Sequence, residues 1–300
     1  MVMNTNNSPP ESGYSHVNIR QSVKNLDALP AMPSIARKLL SLQLDTEEGE
    51  RMLLVLIGQD PLICAKIIGL ANSAKIGASR KISTVSDATA LLGFKRVQSV
   101  STSIAIMTLM TKASTGRLNM HDLWLHSVGV AFAMFGIARF MPAKLRPQDD
   151  QIFLAGLLHD IGYLALAFID LKHSDRLHAR LAIETSCPSR EVEQKILDIC
   201  HDELGAELAH HWNLPDEIVA AIRYHHTPDE PGAALAQPLV HMISMAEKLL
   251  GSFGINEHVD NRIGADEWNT LGIDPNKVEQ VRDQVAEQAE QAMQFISTFD

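Results

Sequence analysis

Ala155-Gly156-Leu157-Leu158-His159-Asp160-Ile161-Gly162-Tyr163-Leu164 is the stretch around which this chain of 300 residues is organised. A histidine and an aspartate stand side by side in a run that is otherwise apolar from Ile152 to Ile169. An ionised carboxylate buried without a partner costs several kcal/mol, so such a pair needs ligands, hydrogen bonds or a cation. Neighbouring imidazole and carboxylate groups can ligate one divalent metal or bridge two. The plain alternative is a satisfied pair within a helical core. The rest of the chain decides between them.

Working outward, 11 of the 13 histidines lie between His121 and His241. Asp122 and His126 are four apart, so one helix face presents both. His201 is expected midway along a helix from about residue 191 to 212, in His201-Asp202-Glu203-Leu204-Gly205, with Gly205 permitting close packing. Asn213-Leu214-Pro215-Asp216 restarts the chain into a helix ending at His225-His226. A further helix from Pro238 carries His241 and Glu247. Imidazole with carboxylate is the donor set of Fe, Mn, Zn or Ni rather than Ca or Mg. Asp122, His126, His159, Asp160, His201, His225, His226 and Glu247 could therefore furnish one or two metal sites between helices. His173, His178, His210 and His211 read as surface or helix-boundary residues. Tyr163, Met107 and Met110 read as packing residues. Trp124 and Trp212 are expected to pack beside the site and shield it.

The first half is chemically quieter. Ser34 opens a helical pattern, and Thr46 with Glu48 and Glu50 opens a second. Asp60-Pro61 is an N-cap with proline at the first helical position. The helix it starts is expected to bury Leu62, Ile63, Ile67 and Leu70 and to end near Asn72-Ser73. Gly93 divides a later pattern in which Leu91, Leu92, Phe94 and Val97 face inward. Lys66, Lys75, Arg80, Lys81, Lys95 and Arg96 are expected on a solvated helical face. Residues 254–272 read as a polar loop with Trp268 docking back. Asp274-Pro275 caps a final helix with the stripe Val278, Val281, Val285, Ala289, Ala292 and Ile296. That helix should pack on the body, although pairing with a second copy to form a homodimer is the other option.

Composition bounds the function. With 46% hydrophobic and only 5% aromatic residues, the chain favours helix over sheet and has length for a real core. Three cysteines without a C-x-x-C spacing argue against a disulfide framework and suit a reducing cytoplasm. A formal charge of −10 disfavours non-specific nucleic-acid binding. No apolar stretch is expected to span a membrane.

Leu29-Pro30 with Pro33, Asp60-Pro61-Leu62, Ala71-Asn72-Ser73, Ala90-Leu91-Leu92-Gly93, Leu157-Leu158-His159-Asp160-Ile161-Gly162, and Trp212 with Leu214-Pro215 form a set of signatures. By them the chain resembles, over about residues 23–250, the HDOD-domain proteins, a bacterial signalling branch of the HD phosphohydrolase superfamily. It implies an all-α fold that usually regulates rather than catalyses. By resemblance to the HD-GYP branch of cyclic di-GMP phosphodiesterases, Asp122, His126, His159, Asp160, His201, His225 and His226 fall on metal-ligand positions. Glu247 falls where an aspartate is usual. Those enzymes carry a phosphate-contacting lysine where this chain has Tyr163, and a Gly-Tyr-Pro signature where it has Thr227-Pro228-Asp229.

The expectation is an all-α helical bundle of the HD type with an additional N-terminal helical subdomain. Residues 1–22 would be a disordered lead-in and 23–115 the N-terminal helical part. Residues 116–252 would form the His/Asp core, and 253–300 a polar loop and C-terminal helix. The leading function is a cytoplasmic signal-transduction module acting through protein contacts, its metal-binding site altered or lost for catalysis. The alternative is a metal-dependent phosphohydrolase or phosphodiesterase acting on a nucleotide or cyclic dinucleotide. A metal or oxygen sensor using the same ligands is a third reading. No residue is assigned a catalytic role.

Overall fold

The computed structural model describes residues 19–20, 29–72, 80–110, 116–250, 255 and 260–297, and every regular element among them is a helix. The N-terminal helices are α1 (Ser34–Leu40), α2 (Glu47–Gly58), α3 (Pro61–Ala71), α4 (Val85–Leu92) and α5 (Phe94–Met110). Local chemistry starts them. Thr46 accepts from the Gly49 amide, Asp60 from those of Leu62 and Ile63, and Thr84 from that of Asp87. Gly93, at φ +87°, makes the turn between α4 and α5 in backbone space that a side chain disfavours. Asn72 closes α3 and holds the next segment in register. Its amide donates to the Ile82 carbonyl at 2.7 Å, while its oxygen accepts from the Ile82 N–H at 2.8 Å. Ser73 and Lys75, part of the expectations above, lie outside the described residues.

The central helices are α6 (Met120–Ala138), α7 (Asp149–Leu158), α8 (Ile161–Ile169), α9 (Leu171–Leu181), α10 (Ser189–Leu197), α11 (His201–His211), α12 (Asp216–Tyr224) and α13 (Leu239–Leu250). A short helix, α14 (Ala265–Thr270), and a long one, α15 (Val278–Ser297), follow, the latter after a turn of 3-10 helix. α6 is the axis: α7, α13 and α15 all pack against it, and α8 crosses α11. The N-terminal helices join this body where α5 lies on α7, and one continuous apolar core runs through both parts. Trp212 adds a polar tie, its indole N–H donating to the Pro30 carbonyl at 2.8 Å.

Several local expectations need correction. Leu62 and Leu91 are 44% and 42% exposed, because each lies on the outward side of a short helix whose buried face is narrow. The apolar run from Ile152 to Ile169 is two helices bent by 40°, with His159-Asp160 at the break. The helix expected from 191 to 212 is also two, separated by Asp198 in the left-handed conformation, so His201 begins α11 instead of lying midway. The polar loop 254–272 contains α14, and Trp268 is buried as expected. On α15, Gln288 and Gln291 are buried while Val278 and Ala289 are only partly so.

Within the expected lead-in, Ile19 is buried and Arg20 donates to the Asp198 carbonyl and pairs with Glu203. The remainder of 1–22 lies outside the described residues. Two of the basic residues expected on a solvated face are not on one. Arg96 stacks on the Phe135 ring, 4.8 Å from its centroid, and Lys66 lies half-buried over Trp124. Burial pulls the Lys66 pKa down to about 8.

Candidate metal centre

The breaks in the helices build the site. His159 follows the last residue of α7 and Asp160 precedes the first of α8, which turns both side chains into the space between α6, α11, α12 and α13. His126 comes from α6, His201 from the first turn of α11, His225 and His226 from the end of α12, and Glu247 from α13. α8 and α11 can cross closely because Gly162 and Gly205 face each other. A Cβ on Gly205 would lie 3.0 Å from the Gly162 nitrogen.

Asp160 is the hub. Its Oδ2 is 3.4 Å from His126 Nε2 and 3.3 Å from His159 Nε2, and its Oδ1 is 3.3 Å from His201 Nε2 and 3.7 Å from His225 Nε2. Glu247 closes the opposite side, with Oε1 3.4 Å from His159 Nε2 and 3.9 Å from His225 Nε2, and Oε2 3.8 Å from His226 Nδ1. The imidazoles also face one another. His126 and His159 approach to 3.2 Å between Nε2 atoms, His201 and His225 to 3.3 Å, and His201 and His226 to 3.0 Å.

The outward nitrogens fix what the inward ones can be. His159 Nδ1–H donates to the Gly156 carbonyl at 2.7 Å, and His225 Nδ1–H to that of Ile222 at 2.7 Å. His201 Nδ1–H donates to Glu193 at 2.8 Å. Each of these bonds leaves an Nε2 lone pair aimed into the cluster, the tautomer being assigned from the hydrogen bonds. Lone pairs and carboxylates converging in a buried space repel unless a cation lies among them. Ions holding their donors at about 2.1 Å set neighbouring donors roughly 3.0–3.4 Å apart, close to the separations seen here. The residues therefore fit a divalent metal. His126, His159 and Asp160 form one donor group, His201, His225 and His226 a second, and Asp160 with Glu247 spans the two.

Electrostatics agree. Burial takes the His126 pKa down to about 3 and that of His225 well below the imidazole range, so both are neutral donors at neutral pH. Burial also pulls on His159, but Asp160 and Glu247 outweigh it and hold its pKa well above the usual value. Asp160 is held well below the carboxylate range because His159 and His201 overcome its burial. The cluster thus calls for positive charge, supplied by a proton on His159 when nothing stronger is there.

Seven of the eight expected donors meet in this cluster: His126, His159, Asp160, His201, His225, His226 and Glu247. Asp122 belongs to none of the donor groups. It sits in the first turn of α6, partly exposed, with its oxygen 3.6 Å from His121 Nδ1. Two positioning residues escaped the sequence reading. Glu193 is fully buried and grips His201 twice, accepting from both its Nδ1–H and its backbone N–H. Tyr163, expected only to pack, donates its hydroxyl to Glu193 at 2.8 Å and stacks on the His201 ring at 4.3 Å. Glu193 had a faint signal, since it occupies the same buried face as Val192 and Leu197. His178, expected near the surface, is buried with its ring 5.4 Å from that of Tyr163. Trp212 does not shield the centre; it closes α11, about 16 Å along the axis from His201.

The fold has relatives. A crystal structure of a candidate signal transduction protein from Marinobacter aquaeolei VT8 matches 95% of this chain and 62% of its own, at TM-score 0.74 and 23% identity. An HDOD domain protein of unknown function from Geobacter sulfurreducens matches 90% of this chain and 96% of its own, at TM-score 0.70 and 27% identity. A candidate phosphohydrolase from Shewanella amazonensis SB2B matches 96% of this chain and 100% of its own, at TM-score 0.72 and 21% identity. Among curated proteins, an uncharacterized protein of Treponema pallidum (strain Nichols) is 26% identical over 225 residues. The chain spans 42% of the length of that relative. The family profile described as the HDOD domain matches residues 29–228, and the chain belongs to the HDOD family.

Proposed function

We propose that this protein is a metal-bearing regulatory module that passes a signal through contacts with other proteins in the cytoplasm, and that its His/Asp/Glu centre has lost or altered catalysis. The observation that carries the reading is the closure of the centre. His159, Asp160 and His225 are 0% exposed, His126, Glu247 and His201 no more than 3%, and the His226 side chain 10%. A metal held by such a set is tied to the fold, whereas catalytic centres keep a position open for substrate or water. The bound ion would supply Lewis acidity and join α6, α8, α11, α12 and α13 at one point. The chain's own residues orient the donors: Glu193 and Tyr163 lock His201, and backbone carbonyls lock His159 and His225.

A second reading, metal-dependent hydrolysis of a phosphoester, is favoured by Asp160, whose two oxygens face the two donor groups as a bridging carboxylate would. Elemental analysis of untagged protein purified without chelators, followed by assays on cyclic dinucleotides and generic phosphoesters, tests both. The regulatory reading expects one or two equivalents of Fe, Mn, Zn or Ni and no turnover. Wild-type protein free of metal would remove the metal from either reading. Turnover that disappears in the His159→Ala/Asp160→Ala variant would establish the hydrolase instead.

A further inference from the structure

At the end of α6 and α7 away from the histidines lies a second polar cavity of about 310 Å3. Arg96 of α5, Arg139 after α6 and Arg146 before α7 converge there with Phe135, while Gln288 and Gln291 of α15 form the opposite wall. Asp149 is the single carboxylate among the lining residues. Three guanidiniums against one carboxylate leave two positive charges concentrated in a chain whose formal charge is −10.

Two polar atoms on residues that line this cavity are buried behind its wall and have no hydrogen-bond partner among the described residues. One is Arg96 Nε, a donor whose guanidinium lies over Phe135; the other is Gln291 Oε1, an acceptor on a residue only 9% exposed. The other ends of these side chains have partners: Gln291 Nε2 donates to Glu287 at 3.2 Å, Arg139 Nη1 to Gln284 at 2.7 Å, and Arg146 Nη2 stands 3.5 Å from Asp149. Burial pulls the Arg96 pKa down, opposed only in part by Asp149, so its charge is incompletely balanced within the protein. A guanidinium remains charged in such a place, and leaving its N–H unmatched is costly. Stacked on Phe135, the guanidinium also offers a flat surface for a planar ring.

We propose that this cavity is a binding site for a phosphorylated small molecule of the nucleoside monophosphate class. The phosphate meets Arg139 and Arg146, the ring lies along Arg96 and Phe135, and the Gln291 side chain turns to present its Oε1 to a ring or exocyclic N–H. The volume is at the lower end of small-ligand sites, which suits a mononucleotide better than a larger cofactor. The site is separate from the metal centre. Phe132, which also lines the cavity, is six residues from His126 along α6, about 9 Å, and Asp149 is ten residues from His159, about 15 Å.

Calorimetric titration of the full chain, stripped of metal with a chelator, tests the assignment with AMP and GMP beside guanosine and pyrophosphate. Stripping removes phosphate binding at the histidines. At least one mononucleotide is expected to bind, with guanosine and pyrophosphate each more than tenfold weaker. Affinity should fall at least tenfold in Arg139→Gln/Arg146→Gln, whose side chains are exposed and outside the core, and in Gln291→Glu. The proposal is overturned if neither nucleotide binds, if pyrophosphate binds as tightly as they do, or if the arginine variant binds unchanged.

Discussion

Two of the three His-Asp dipeptides in this chain meet opposite fates. His159-Asp160 delivers both side chains to the centre, whereas His201-Asp202 delivers only the histidine and pairs Asp202 with Arg190 at 3.0 Å. The difference is backbone geometry: Asp160 sits in a helix break at φ −97° and ψ 14°, while Asp202 lies inside the first turn of α11 and points away. Glu193 matters for the same reason, because it determines which nitrogen of His201 faces inward. Glu193→Gln should weaken metal affinity by about 10–100-fold, the usual cost of losing such a support, and Tyr163→Phe should weaken it less. Competition against a chromogenic chelator reads both. His178 carries a pH prediction. Burial lowers its pKa from 6.5 to about 4, so the unfolded chain takes up the proton first as acid is added. Its stabilising effect is complete above about pH 6.5 and is lost as pH falls through 4, amounting to about 3 kcal/mol. His178→Gln should flatten the acid limb of the stability curve between those values, as followed by urea unfolding at a series of pH values. An unchanged slope would mean that other buried histidines carry the acid sensitivity.

Elements position the donors through where they stop. α7 stops before His159 and α10 before Asp198, and each interruption points an imidazole that an unbroken helix would have turned elsewhere. The crossing of α8 over α11 then sets the distance between the two donor groups. A Cβ on Gly162 would overlap the His201 carbonyl oxygen, so Gly162→Ala must push the helices apart. The expected result is destabilisation of roughly 2–4 kcal/mol together with weakened metal binding, read by denaturant unfolding and chelator competition. In the N-terminal part, Asn72 joins α3 to the segment before α4 through both halves of its amide. Asn72→Ala strips the partners from the Ile82 N–H and C=O and should cost about 1–3 kcal/mol. The same unfolding assay measures it, and metal content should be unaffected because no donor lies in that region.

Across the whole molecule, the centre joins helices that are far apart in the chain, so a metal bound there would be linked to stability. An ion that binds only the folded protein adds about 2.7 kcal/mol at one hundred times its Kd. For a chain of this size, that raises the melting temperature by about 4 °C. Differential scanning calorimetry with and without added metal should show the rise in wild type and none in His159→Ala/Asp160→Ala. The last helix belongs to the same body. α15 lies along α6, on the element that supplies His126, which is the arrangement favoured from its apolar stripe.

The sequence by itself determined the helical class, most helix starts and most of the donor identities. These are local matters: Thr46, Asp60 and Thr84 cap their helices through nearby amides, and imidazole and carboxylate carry their ligand chemistry wherever they stand. Only the tertiary structure decided that His126, His159, Asp160, His201, His225, His226 and Glu247 meet, that Asp122 does not join them, and that Glu193 and Tyr163 hold His201. It also moved Arg96 from an expected solvated face into a cavity beside Phe135. The physical reason is common to these cases. Where helices break and how closely they cross depends on contacts between residues tens of positions apart, and hydropathy periodicity within one segment carries no record of them.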